Sequence, residues 1–434
     1  MKIYSFPQGG LSFDDPAAPP KGPSVLAFLP ALSIIPMGNN TSGRVYPLVS
    51  VGDIVREGML VGRASGSGAV NVHATVPGRV IRKVSWKDYE GHSNDGLVIR
   101  MEGAFEKLGR KLEIFPWAGM NGYDLQRIIT DYGIVEMENR GRSLAEMISY
   151  FRRAHNKLTL VVRCVFDDPW LAADYALCRE RLKEVVEGSF ITAQACAKVN
   201  QVIFAVSHRE KELGEQLLAE AKPGHLPSAL VLVGSRYPQR NRRELELALR
   251  NYEKKEGLDL GSFLILGPAT LAAVHDAVKF QKPVIDRYVA IGGSAVKHPQ
   301  VMKARIGTRI GELIEQCGGF IDRPIRVATG SPLSGRAVMD LDEPVTKNCS
   351  SVFAVRKTRI AAHWEQNCIN CGECRAVCPL GLDPEDIYKQ IITAGIIKKD
   401  ISGCHGCGCC KVVCPSALPL SELILKEKLG VPRV

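Results

Sequence analysis

Nine of the chain's 14 cysteines fall between Cys368 and Cys414, in two runs of the same spacing. The first is Cys368-Ile-Asn-Cys371-Gly-Glu-Cys374-Arg-Ala-Val-Cys378-Pro379, and the second is Cys404-His-Gly-Cys407-Gly-Cys-Cys410-Lys-Val-Val-Cys414-Pro415. Three thiolates at this spacing wrap one loop around three iron corners of a [4Fe–4S] cubane. The fourth, followed by proline, reaches the other cluster in two-cluster ferredoxins. On that pattern Cys368, Cys371, Cys374 and Cys414 hold one cluster, and Cys404, Cys407, Cys410 and Cys378 hold the other. The competing chemistry is zinc, but zinc sites take two Cys-x-x-Cys pairs across a longer loop rather than three close cysteines and Cys-Pro, twice. Cys409 breaks the period and reads as a non-ligand beside the cluster. His405 has two readings, a group that tunes potential or a solvent-facing spectator, and the second is the expectation.

The segment between the runs has helix ends. Asp383 caps it, Pro384 takes the first position, and Glu385 and Asp386 suit the positive terminus. Ile387 and Ile391 give an apolar face, and Gly395 is expected to end it. The scattered Cys164, Cys178, Cys196 and Cys349 read as small buried apolar residues.

These loops end a chain of 434 residues, long enough for two to four domains. Clustered cysteines in such a chain point to metal, not to a disulfide scaffold. A net charge of +10 suits an acidic partner or an anionic surface. The basic cluster Arg236, Arg240, Arg242 and Arg243 lacks interleaved aromatics beyond Tyr237, so no nucleic-acid module is expected. Ser24 to Met37, the most apolar stretch, is broken by Pro30 and Pro36, and no stretch reaches the roughly 20 residues of a spanning helix. The N-terminus has no signal-peptide pattern, which makes cytoplasmic the default expectation.

The patterning divides the chain into four parts. Residues 1–115 read as an extended Gly/Pro arm followed by short strands with turn glycines, spaced like the barrel-sandwich hybrid of lipoyl and biotinyl carriers. Their carrier lysine is absent from the tip Ser65-Gly66-Ser67-Gly68, so no swinging arm is expected. Residues 116–280 alternate helices with the apolar runs Leu158–Val162, Gln201–Val206, Ala229–Val233 and Phe263–Leu266. That is a Rossmann-like α/β layer with parallel strands buried on both faces. Residues 281–340 suggest a β-grasp-like (SLBB) module, in which Ile310, Leu313, Ile314 and Cys317 form one apolar helical stripe. Residues 341–434 are a linker and the dicluster ferredoxin-type domain.

Read in order, these features resemble the C subunit of the Rnf electron-transport complex. The matching elements are Phe6 to Gly10, Val51-Gly52-Asp53, Val72-His73-Ala74, Tyr237-Pro238-Gln239, Gly292 to Pro299, Arg305-Ile306-Gly307-Thr308, Pro344-Val345-Thr346-Lys347 and both cluster motifs. That family is similar to the NADH- and flavin-binding subunit of respiratory complex I. The resemblance implies two [4Fe–4S] clusters, with FMN and NAD(H) as further cofactors. It also implies an oxidoreductase and translocase complex at the cytoplasmic face of the inner membrane. There the protein would be peripheral, partnered by other Rnf subunits and indirectly by ferredoxin-type carriers.

The sequence departs from the family at its nucleotide loop. Relatives carry G-I-V-G-M-G-G-A-G-F-P, whereas this chain has Gly133-Ile-Val-Glu136-Met-Glu138-Asn-Arg140-Gly141-Arg142-Ser143. Glycines let backbone N–H groups approach a phosphate. A carboxylate about 4 Å from a phosphate charge instead costs on the order of 4 kcal/mol at an effective dielectric near 20. A second family segment, N-G-A-E-C-E-P-Y-L-T-A-D, appears here as Arg163 to Asp174. Phe166 replaces its first acid, while Asp168, Pro169 and Asp174 remain. Three functions follow: an Rnf-type subunit that exchanges electrons with NAD(H), a non-catalytic dicluster relay or docking subunit without flavin, and a soluble NADH-dependent corrinoid reductase. The hybrid domain suits the last one least.

Overall fold

The computed structural model describes residues 2–38, 43–88, 92–105, 112–138, 141–356, 366–393 and 399–429. At its centre are five parallel strands in the spatial order Ile3–Tyr4, Ser228–Val233, Val199–Ser207, Leu158–Cys164, Ser262–Leu266. The strand runs are apolar throughout because both faces are covered. Val161, Ile203 and Ile265 pack with Leu245 and Leu249 of the helix Arg242–Glu256 on one side. Leu160, Phe204 and Leu264 pack on the other, under the helices Leu182–Cys196 and Pro268–Phe280. A Cβ on Gly188 would lie 2.0 Å from Leu271 O, so glycine lets those two helices touch.

The Gly/Pro arm expected as an extended lead-in is built into the core. Ile3–Tyr4 forms the edge strand of the parallel sheet, and the Tyr4 hydroxyl donates to Glu256 at 2.6 Å. Farther on, Asp15 accepts from the Trp170 indole at 2.9 Å, and the Gly293 N–H donates to Ala17 O at 2.9 Å. Val25–Leu26 joins a second sheet at its far edge.

The hybrid domain has a four-stranded antiparallel sheet, in the order Leu32–Pro36, Ser93–Met101, Gly78–Lys87, Ile54–Val55. A three-stranded partner sheet completes it, and Ile35, Val61, Val76 and Leu97 lie in the shared core. The β-grasp module is a six-stranded mixed sheet in the order Arg336–Ala337, Pro324–Thr329, Ser351–Arg356, Asp286–Gly292, Gln300–Arg305, Val25–Leu26. Its helix Ile310–Gln316 buries Ile310, Leu313, Ile314 and Cys317, the stripe read from the sequence. The module runs past the expected boundary at 340. Ser351–Arg356, assigned to the linker, inserts mid-sheet, parallel to Asp286–Gly292 and antiparallel to Pro324–Thr329. At the C-terminal end, the helix Pro384–Thr393 packs Ile387 and Ile391 against Ile424 of the helix Leu420–Leu429. Asp383 caps it as expected, accepting from Asp386 N–H at 3.1 Å. Gly395, its expected end, lies outside the described residues.

Candidate metal centre and the degenerate loop

The two cysteine runs fold alike. In the first, Gly372 at φ +77° caps the short helix Glu373–Ala376, and its carbonyl accepts from Arg375 and Ala376 at 3.0 and 3.1 Å. In the second, Gly408 at φ +83° caps Cys409–Val412 and accepts from Lys411 and Val412, both at 3.1 Å. Cys378 N–H donates to Arg375 O at 3.3 Å, and Cys414 N–H to Lys411 O at 3.2 Å. The repeat in spacing is therefore a repeat in backbone.

The side chains cross between the runs. Cys404, Cys407 and Cys410 line a cavity together with Cys409 and with Cys378, the last cysteine of the other run. Pro379, Leu380, Leu382 and Ile424 supply apolar walls. Cys368 and Cys374 in turn pack with Cys414 around Leu418 and Leu420, where Cys410 joins the two groups. Burial raises the Cys374 thiol to about 11, with Glu385, Cys371 and Cys368 adding to the rise. Among the described residues no three Cys, His, Asp or Glu converge on a point as one metal ion requires. Thiols set around a cavity suit a cubane, whose iron corners are separate, so the donor set fits a [4Fe–4S] group better than zinc.

Two neighbours of the second loop carry information that spacing alone does not. Cys409 is fully buried and lines the same cavity as Cys407. The interaction of the two thiols draws Cys407 down and pushes Cys409 up. His405 departs from the solvent-facing expectation. Its Nε2 lies 2.7 Å from Glu244 Oε1, and its Nδ1 lies 3.1 Å from Asn241 Nδ2. The helix Arg242–Glu256 starts against this loop and brings in a carboxylate that is fully buried. Tyr237 Oη donates to Cys407 O at 2.8 Å, and Gly10 N–H donates to Val377 O at 2.8 Å. Tyr237 and Glu244 are functional neighbours that the motif reading missed. The signals were Tyr237-Pro238-Gln239 among the elements of the resemblance and, for Glu244, an acid in the first turn of an amphipathic helix.

At the degenerate loop, Val135 bridges Ser143, and Glu136 N–H donates to Arg142 O at 2.8 Å. Gly133 (φ +61°) and Gly141 (φ +69°) are turn positions, and Gly133 presses on the hybrid domain, where a Cβ would lie 2.1 Å from Asn71 O. Asn139 and Arg140 lie outside the described residues. Glu136 is buried 3.7 Å from Arg163 Nη2, and burial pushes its carboxyl up to about 7. Glu138 turns onto the start of the helix Pro268–Phe280, where it accepts from Thr270 N–H at 3.3 Å and Thr270 Oγ1 at 2.7 Å. Phe166 is buried edge-on to Tyr175 with ring centroids 5.4 Å apart, and Lys21 Nζ lies 5.9 and 5.3 Å from the two rings. Asp168 accepts from Trp170 N–H at 2.9 Å and so caps the turn Pro169–Leu171. Asp174 is buried 2.6 Å from Arg240 Nη2 and 3.6 Å from Arg287 Nη2. Asp168 and Asp174 thus serve this fold's own turn and ion pairs, and the loop's acids face inward. These residues do not fit a flavin or dinucleotide phosphate.

Comparison with known proteins agrees with the architecture. Residues 22–104 match the RnfC barrel sandwich hybrid domain, residues 288–339 the SLBB domain and residues 362–417 the 4Fe-4S dicluster domain. The C subunit of the ion-translocating oxidoreductase complex of Rhodobacter capsulatus is 28% identical over 368 residues, covering 84% of this chain and 70% of that one. The C subunit of the proton-translocating ferredoxin:NAD(+) oxidoreductase complex of Clostridium ljungdahlii is 26% identical, covering 85% and 82%. Its counterpart in the Na(+)-translocating complex of Acetobacterium woodii is 27% identical, covering 82% and 81%. Over most of its length the chain is thus similar to the C subunits of ion-translocating oxidoreductase complexes.

Proposed function

We propose that this chain is the iron–sulfur electron-transfer subunit of an Rnf-type, ion-translocating ferredoxin:NAD oxidoreductase complex. In this reading it sits at the cytoplasmic face of the inner membrane, held there by partner subunits. The observation that carries it is the crossing of the cysteine runs, with Cys378 beside Cys404, Cys407 and Cys410, and Cys414 beside Cys368 and Cys374. Two [4Fe–4S] clusters supply one-electron carriers. The protein's part is to hold them with eight thiolates, exclude water from the second with Leu380, Leu382 and Ile424, and bury the extra thiol of Cys409 beside it. The first loop presents Asn367 to Cys371 to solvent and is the face on which a redox partner docks. Support for a peripheral position is given by the relatives' names and by the fact that no helix among the described residues is long and apolar enough to cross a membrane.

The test is anaerobic reconstitution with iron and sulfide, followed by electron paramagnetic resonance after dithionite reduction. The expected content is about eight irons and eight acid-labile sulfides per chain. Cys378→Ser should remove the cluster of the second loop, and Cys414→Ser that of the first. Loss of the first loop's cluster in Cys378→Ser would show that each run serves itself. Bound zinc without sulfide would overturn the redox assignment.

A further inference from the structure

We propose that the α/β domain of this chain is closed to flavin and pyridine nucleotide by its own anion, the Glu138 carboxylate, which takes the place of a phosphate at the start of the helix Pro268–Phe280. The inference deepens the electron-relay reading and rests on it: the chain's electrons then pass only between protein-borne redox centres.

The first four N–H groups of a helix have no partner within it and carry the positive end of the dipole, so this terminus is where a phosphate would be held. Here the place is taken. Glu138 accepts from both the N–H and the hydroxyl of Thr270, and the Met137 N–H donates to the same hydroxyl at 2.9 Å. Gly267, just before the helix, makes room for it, since a Cβ there would lie 2.2 Å from Glu138 Oε1. In this chain that glycine admits a protein carboxylate.

The neighbouring guanidiniums each face a carboxyl group already. Arg163 faces Glu136, and Arg240 and Arg287 face Asp174. Asp167 accepts from the backbone N–H of Arg240 at 2.9 Å. With Glu138, the described cluster sets four carboxyl groups beside three guanidiniums, and burial raises two of the four, Glu136 and Asp167, to about 7. Farther out among the described residues, Arg142 acts on Glu136 and Asp168 on Arg240, one charge of each sign. Over the cluster lies the N-terminal arm, which is tied down by the Asp15–Trp170 hydrogen bond and by Lys21, whose ammonium lies 2.6 Å from Glu210. A carboxylate about 4 Å from a phosphate lowers affinity by roughly a thousandfold at an effective dielectric near 20.

The experiment uses the reconstituted full chain, with FMN as a fluorescent probe and NADH as a reductant. Wild-type protein should leave FMN fluorescence unquenched, and NADH should not bleach the cluster absorbance even with FMN added, while dithionite bleaches it fully. Glu138→Gln keeps an oxygen for Thr270 and removes the charge. It should bind FMN at least tenfold more tightly than wild type, approaching a thousandfold if this carboxylate is the whole barrier. Stoichiometric FMN on the wild type, or NADH bleaching, would overturn the proposal, and so would a Glu138→Gln protein that binds FMN no better. Failure of dithionite to bleach would strike the cluster reading instead and would leave the FMN result to be judged by itself.

Discussion

The two cysteine loops have one spacing and one backbone form, yet they sit in opposite surroundings. Loop one is exposed from Gln366 to Cys371 except at the half-buried Cys368, with Ile369 63% accessible and Cys371 at the surface. Loop two is covered: Gly408, Cys409 and Cys410 are buried, Tyr237 and Glu244 of the α/β domain grip Cys407 and His405, and Leu333 O would meet a Cβ on Gly408 at 2.8 Å. Spacing decides which sulfurs can share a cluster. What covers the loop decides how far solvent and partners reach it, and that comes from residues far along the chain, over 160 positions away for Tyr237 and Glu244. A relay with one sheltered and one exposed carrier has a built-in port at the exposed end.

The comparison can be measured by stripping iron with a chelator, and the wild type should lose it in two phases of equal amplitude, the fast one from loop one. Its strongest challenge is Glu244→Ala. This carboxylate is fully buried and accepts from, or pairs with, His405 at 2.7 Å. A hydrogen bond to a charged group contributes about 2 kcal/mol, a factor of roughly 30 in the population of an opened loop. Glu244→Ala should therefore speed the slow phase by about that factor, merging the two, with the fast phase unchanged. A slow phase that stays slow would mean that the α/β domain does not shelter loop two.

Tyr237→Phe sharpens the same comparison with a smaller effect. It deletes one neutral hydrogen bond, to Cys407 O at 2.8 Å, and keeps the ring that packs against Val377 and Cys409. The expected loss is about 1 kcal/mol, a several-fold faster slow phase, since a lost neutral bond is cheaper than a lost charged one. An effect as large as that of Glu244→Ala would instead assign the shelter to Tyr237.

What could be read in the sequence followed the range of the interaction. The parallel strands were legible because Leu158–Cys164 and its neighbours are apolar on both faces, and the helix Pro384–Thr393 because its cap and proline are local. The spacing leads to the expectation that Cys378 crosses to the second loop, and Cys378 lines one pocket with Cys404, Cys407 and Cys410. Ile3–Tyr4 was not, since two residues show no periodicity and its partner Leu232–Val233 lies over 200 positions on. Ser351–Arg356 read as linker because its place mid-sheet depends on two strands contributed earlier in the chain. The glutamates of the degenerate loop were visible as a departure, but the destination of Glu138 was not. Thr270 lies 132 positions away, and nothing near Glu138 in the chain signals a helix start.

The smallest expected effect is the most selective. Cys409 has no counterpart in loop one, where Glu373 stands after the capping glycine. Its buried thiol lines the same cavity as Cys407, and a donor near a ligand sulfur stabilises the added electron. A thiol is a weak donor, so its effect is worth about 0.5 kcal/mol, or roughly 20 mV for a one-electron couple. Cys409→Ala should retain the full iron and sulfide content and lower the potential of the second cluster by about that amount, leaving the first unmoved. A potentiometric titration followed by electron paramagnetic resonance resolves the two. If iron is lost in proportion to one cluster, Cys409 is a ligand and the second ring has been drawn around the wrong sulfur.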